Sequence, residues 1–232
     1  MKSKILATIA MGLAIGLPQA KAQDLTINTN FAYQSEYVFR GVQLATESFQ
    51  PSIDLGYDAF YLGLWTNQPI EDGSANEIDY YAGYKFKAND LLSVDFGATV
   101  FHYPDTAGEN ETLESFVGAS FDMIALPAVY VYYDYDLESF TYEASAGHSF
   151  PVDEKNAIEV GLSAGYVSLD DSVASNTPSE YYYYGASARW VHSFSDTANL
   201  AIGLHSGGND EHIGPNGRDD NLWGSFSFSA GF

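Results

Sequence analysis

Leu222-Trp223-Gly224-Ser225-Phe226-Ser227-Phe228-Ser229-Ala230-Gly231-Phe232 alternates without a break. Leu222, Gly224, Phe226, Phe228, Ala230 and Phe232 share one face, and Trp223, Ser225, Ser227, Ser229 and Gly231 share the other. Side chains alternate across the two faces of a strand, so one face can turn to lipid and the other to a small, polar interior. With a terminal aromatic, the stretch reads as the closing strand of an outer-membrane barrel. Phe226, Phe228 and Phe232 then form its assembly signal, read by barrel-assembly machinery. The same strand would serve a soluble sandwich, so the rest of the chain decides.

The alternation recurs along the sequence, punctuated by polar segments rich in Gly, Pro, Asp and Asn. It predicts an all-β chain of about 12 antiparallel transmembrane strands. They lie at residues 24–35, 48–57, 60–67, 76–86, 91–103, 112–122, 128–136, 139–148, 157–168, 179–193, 199–206 and 221–232. An even count sets both the N- and C-termini on the periplasmic side. Connections 58–59, 87–90, 123–127, 150–156 and 194–198 are short. Those at 36–47, 67–75, 104–111, 169–178 and 207–220 are longer and acidic, and only 137–138 breaks the rule. Short turns inside and long loops outside are the asymmetry of such barrels.

The two faces differ in chemistry. One carries Leu25, Ile53, Leu62, Val117, Val129, Leu162, Ile202 and Leu204 and no charge in the strand cores, where a charge would cost about 2–4 kcal/mol at mid-bilayer. Its aromatics gather at strand ends. Tyr57, Phe60, Phe86, Phe121, Trp190 and Phe232 fall at one end, and Tyr33, Phe49, Tyr80, Tyr133, Phe140, Tyr166 and Tyr182 at the other. Two girdles around an aliphatic band match a bilayer rather than a soluble core. Pro51 removes a ladder donor, which predicts a bulge near the outer rim.

The first 22 residues read as an export signal. Lys2 and Lys4 precede an apolar stretch at residues 5–17 that is too short to span a bilayer, and Ala20-Lys21-Ala22 is a small-x-small cleavage site. Residues 23–232 then form the outer-membrane β-barrel domain. Lys2, Lys4 and Lys21 leave with the signal, so six Lys and Arg face 31 Asp and Glu, a balance of −25. Such a chain repels nucleic acid and anionic surfaces. With no Cys there is neither a disulfide framework nor a Cys-based metal site.

The inward face holds Asp54, Asp79, Lys85, Asp95, Glu114, Asp134, Glu143, Glu159 and Arg189 as candidate pore-lining residues. Charged rings tune pore selectivity, so an acid excess points to a pathway that favours cations. The competing reading is a closed polar network, with Arg189 paired to Glu159 and Lys85 diagonal to Asp95. Two bases cannot neutralise the acids, which favours a hydrated lumen because buried unpaired charge is costly. Trp65, Phe101, Tyr103, Phe116, Tyr181, Tyr183 and Trp223 face inward near the outer mouth. They fit a sliding surface for amphipathic solutes, but packing against lumen glycines is the favoured account, because aromatics fill space by default. Arg40 reads either as a constriction cation in the mouth or as a loop pin that bonds carbonyls or acids. His102 and Ser115 share the lipid face on neighbouring strands without an orienting third group, which argues against an enzyme. The segment Asn209-Asp210-Glu211-His212 reads as a solvated acidic loop rather than a metal site.

Three segments resemble one family. They are Tyr37-Val38-Phe39-Arg40-Gly41-Val42, Phe49-Gln50-Pro51-Ser52-Ile53-Asp54, and Glu77-Ile78-Asp79-Tyr80-Tyr81-Ala82-Gly83-Tyr84, the last following Gly63-Leu64-Trp65. Together they are similar to the TorF family of porins, long described as conserved bacterial proteins of unknown function. The resemblance is best over residues 24–86. It implies an outer-membrane barrel and a pore, with no established solute, cofactor or catalytic residue. Val42-Gln43-Leu44-Ala45-Thr46 is less rich in Ser and Asp than the family pattern, so the first outer loop departs from it. The expectation is a porin in contact with outer-membrane lipid that passes small solutes, cations above all, by passive diffusion. The alternative is a non-conducting barrel with a structural or loop-mediated binding role.

Overall fold

A computed structural model describes residues 25–71, 74, 76–107, 110–169, 178–214 and 220–232. The expected export signal lies outside the described residues. The strands run β1 (Leu25–Gln34), β2 (Tyr37–Phe39), β3 (Val42–Ala45), β4 (Ser48–Tyr57), β5 (Phe60–Pro69), β6 (Glu77–Lys87) and β7 (Leu92–His102). They continue as β8 (Glu111–Phe121), β9 (Ala128–Asp134), β10 (Ser139–Pro151), β11 (Asn156–Ser168), β12 (Glu180–Ser193), β13 (Ala198–Asn209) and β14 (Asp220–Gly231). Twelve of them, β1 and β4 to β14, form one closed antiparallel barrel in chain order, while β2 and β3 pair only with each other. Closure is made by β1 against β14, with Asn28 opposite Gly231, Phe31 opposite Phe228 and Gln34 opposite Ser225. Both described termini lie at the end that carries the short turns, tied by backbone bonds between Ile27 and Phe232. A closed barrel leaves no unpaired sheet edge, the condition for a sheet to cross hydrocarbon.

Alternation sorts the side chains as the pattern requires. Outward Leu62, Val117, Leu162 and Ile202 are 54%, 51%, 63% and 51% exposed, whereas inward Asp79, Glu114 and Glu159 are 1%, 3% and 4% exposed. Apolar side chains outside and carboxylates inside invert a soluble protein, and lipid is the solvent that makes this favourable. Rings chain together along the outer surface. Toward the long-loop end, Tyr133 stacks near Phe140 at 4.7 Å and Tyr166 near Tyr182 at 4.9 Å, joined through Tyr142. Toward the short-turn end, Phe60 meets Tyr84 at 4.6 Å, and Trp190, His192, Phe194 and Phe228 form a second run.

The bulge expected at Pro51 is absent. Ser48 pairs with Pro69, Phe49 with Gln68 and Ser52 with Trp65, one register throughout. The missing N–H instead leaves Gln50 and Pro51 without ladder partners on β5. The buried Gln50 side chain bridges that gap by donating from Nε2 to Asn67 Oδ1 at 2.9 Å. Elsewhere the interior is narrowed by tyrosines laid over glycines of the neighbouring strand. A side-chain carbon placed on Gly63, Gly118 or Gly165 would meet the rings of Tyr81, Tyr130 or Tyr183 at 2.2–2.4 Å. Glycine here is a requirement of close approach.

Candidate functional site

The interior is built around the one element that the strand pattern does not announce. Residues 35–47 do not extend outward as a loop. They fold back as the β2–β3 hairpin and enter the bore. Arg40 and Gly41 form its tip with φ of 47° and 76°. Two consecutive left-handed residues make the two-residue turn whose twist suits a hairpin. Gly41 is required there twice over, because a β-carbon would also fall 2.3 Å from the Gly208 carbonyl oxygen.

The hairpin crosses the lumen. Near its base Tyr37 packs tilted against Trp65 of β5 at 5.4 Å, and Phe39 against Phe101 of β7 at 6.1 Å. At its tip Arg40 donates to both carboxylate oxygens of Glu114 on β8, at 2.7 and 2.9 Å. The guanidinium also lies 4.7 Å from the ring centroids of Phe39 and Tyr132. On the far wall Asn209 Nδ2 donates to the Gly41 carbonyl at 2.8 Å. Arg40 and Glu114 are both largely buried, so the Glu114 carboxylate compensates the guanidinium charge where water does not. A two-bond fork to a carboxylate, with two rings beside it, is the geometry that suits arginine and not lysine.

Four of the lumen acids are held by tyrosine hydroxyls. Tyr81 donates to Asp54. Tyr61 and Tyr130 donate to opposite oxygens of Asp95 at 2.9 and 3.0 Å, with Lys85 Nζ at 3.8 Å. Tyr183 donates to Glu143 at 2.8 Å, and Tyr103 to Glu77 at 3.1 Å. Arg189 pairs with Glu159, its direct neighbour in register. Asp79 differs: it is 1% exposed, and its Oδ1 accepts no hydrogen bond. The interior surface encloses a cavity of about 710 Å³, lined from Ser229, Ala230 and Phe232 at the short-turn end to the hairpin tip.

Several sequence expectations need adjustment at this level. Arg40, at the tip of the inward-folded hairpin, serves as the loop pin, bonded to Glu114 in register with the turn-capping Asp134. Lys85 stands directly opposite Asp95, not diagonal to it. Asp134 faces inward but its Oδ1 accepts the backbone N–H groups of Asp136 and Leu137, so it caps the β9–β10 turn. Of the mouth aromatics, Phe101, Tyr183 and Trp223 are buried, Trp65 and Phe116 line the cavity, and Tyr103 and Tyr181 lie nearer the long-loop end. Phe226 and Phe228 face outward, and Phe232 is 81% exposed at the barrel's end. His102 and Ser115 are not brought together: His102 Nδ1 is 3.1 Å from Glu111, and Ser115 Oγ is 3.3 Å from the Tyr135 hydroxyl. Asp210 caps the Tyr182 N–H at 2.8 Å. Missed in the sequence were Tyr61, Tyr81, Tyr130 and Tyr132. Their signal was present, since each has the parity of the inward acids and three sit opposite or beside strand glycines.

A family model described as "Bacterial protein of unknown function (Gcw_chp)" matches residues 19–199. A search of curated proteins returns no match. Among solved structures, the KdgM porin in complex with disordered oligogalacturonate is similar with a TM-score of 0.58 and 10% identity, covering 89% of this chain and 99% of that one. An outer-membrane channel from Pseudomonas putida F1 gives 0.57 and 12% identity, covering 95% and 98%. The NanC porin gives 0.56 and 11% identity, covering 89% and 98%. At these identities the likeness is one of fold.

Proposed function

The chain belongs to the Gcw_chp family of bacterial proteins of unknown function, and we propose that it is an outer-membrane porin passing small solutes by passive diffusion, with cations favoured. The observation that carries this reading is an acid-lined cavity of about 710 Å³ inside a closed barrel whose outer surface is apolar. Export by the N-terminal signal and insertion by the barrel-assembly machinery, with periplasmic termini and lipid around the aromatic girdles, complete it. Fixed carboxylates between low-dielectric walls concentrate cations and lower their barrier. In the bore, Asp54, Asp79, Asp95, Glu143 and Glu159 outnumber Lys85 and Arg189, and Arg40 is spent on Glu114. The oligogalacturonate in the KdgM porin is a polyanion. It does not suit a lumen of this sign.

The hairpin supports a second reading. An element that crosses the bore and is pinned on both walls fits a non-conducting barrel with a structural or loop-binding role. Purified protein in planar lipid bilayers separates the two. Discrete conductance steps are expected for the porin, and an electrically silent barrel that is demonstrably folded in the membrane would favour the second reading.

A further inference from the structure

Arg40 shows how this interior holds a cation: one carboxylate, Glu114, and ring faces from Phe39 and Tyr132. A second setting of the same kind stands beside it without a base. Asp79 on β6 lies directly opposite Trp65 on β5 and Phe101 on β7. The hairpin adds Tyr37, tilted against that tryptophan, and Phe39, tilted against that phenylalanine. Among the described residues no lysine, arginine or histidine forms an ion pair with Asp79. Its Oδ1 is buried without a hydrogen-bond donor, yet Asp79, Trp65, Phe101 and Tyr37 all line the cavity. Glu77, two residues earlier on the same face, is buried and accepts the Tyr103 hydroxyl at 3.1 Å.

A buried carboxylate with an unmet acceptor is costly, and a cation on it recovers that cost. The surrounding chemistry selects the kind of cation. A hard divalent metal wants six or more oxygens, and among the described residues no group of three His, Cys, Asp or Glu suits a metal. Aromatic faces around Asp79, whose Oδ1 has no donor, instead match a weakly hydrated organic cation, as in the recognition of quaternary ammonium groups.

We propose that Asp79, Trp65, Phe101 and Tyr37 form a binding site for alkylammonium or quaternary ammonium cations beside the hairpin. The site names a solute class for the porin reading and rests on that reading for its biological use, but binding is measured separately from conduction. Full-length mature protein, folded in detergent micelles, is titrated with choline and with its neutral isostere 3,3-dimethylbutan-1-ol by calorimetry. Saturable binding of choline and none of the alcohol is expected. Asp79→Asn keeps the shape, removes the charge and should weaken choline at least tenfold. Trp65→Leu leaves the carboxylate and should weaken it severalfold. Heat-modifiable gel mobility verifies that each variant is folded. No saturable choline binding by wild type, equal binding of the alcohol, or unchanged affinity in folded Asp79→Asn overturns the site. Choline binding by a barrel that never conducts keeps the site and removes the porin reading. Conductance without choline binding does the reverse.

Discussion

The carboxylates of the bore are kept in place by phenols more than by bases, and this sets how single substitutions behave. Asp95 takes Tyr61 on one oxygen and Tyr130 on the other. Removing either hydroxyl leaves the other donor and Lys85, so Tyr61→Phe and Tyr130→Phe should each cost only about 1 kcal/mol. The double variant should cost more than their sum, since the two share a partner. Urea unfolding in lipid vesicles, followed by tryptophan fluorescence, measures the cycle, and strict additivity would refute the shared role. The acids themselves were legible in the sequence because charge at inward parity is unambiguous. The tyrosines share that parity, but parity alone does not tell a hydrogen-bonding phenol from simple lumen packing. Only register shows that Tyr81 lies over Gly63 and Tyr183 over Gly165.

At the scale of elements, the barrel strands were readable and the hairpin was not. The ends of β4 at Ser48 and Tyr57 match the pattern, as alternation and the Asp58-Ala59 turn dictate. β13 runs on to Asn209, beyond the expected residue 206, because Asn209 bonds both the hairpin's Gly41 and the Ile213 backbone. The hairpin's own signature, Tyr-Val-Phe around Arg-Gly and then Val, is the segment that carries the family resemblance. It reads as a loop because nothing local says which way it folds. Arg40→Ala should free the tip and raise unitary conductance. It also strands Glu114, a loss worth about 3–5 kcal/mol for a buried pair. Glu114→Gln with Arg40→Ala should restore part of that stability while keeping the larger conductance. An unchanged conductance in both would show that the hairpin does not limit flow.

The turn between β10 and β11 offers a pH test. The Lys155 N–H, the Asn156 side chain and the Asn156 N–H hold the exposed Asp153 carboxyl below its ordinary range. A depressed folded value means its contribution is full above the ordinary carboxylate range and fades as pH falls through the depressed value. The Tm difference between wild type and Asp153→Ala should therefore be present at neutral pH and vanish in strong acid. A difference that persists or grows in acid would contradict the assignment.

On the scale of the whole molecule, closure and lipid exposure are inseparable. Phe31, Leu200 and Phe228 meet across β1, β14 and β13 where the barrel is sealed. Phe228→Asp with Phe232→Asp should sharply reduce the folded fraction, read as loss of the heat-modifiable band in outer-membrane fractions. Wild-type amounts of folded double variant would contradict the facing of the seam. The central claim, however, concerns sign: an acid-lined bore inside an apolar shell should pass cations. The direct measurement is the reversal potential across a planar bilayer under a KCl gradient, for wild type and for Asp79→Asn with Glu143→Gln. Cation selectivity is expected in wild type and should be reduced in the double variant. It should also weaken as salt rises, because the screening length falls from about 10 Å at 0.1 M to about 3 Å at 1 M. Anion selectivity in wild type would contradict the account.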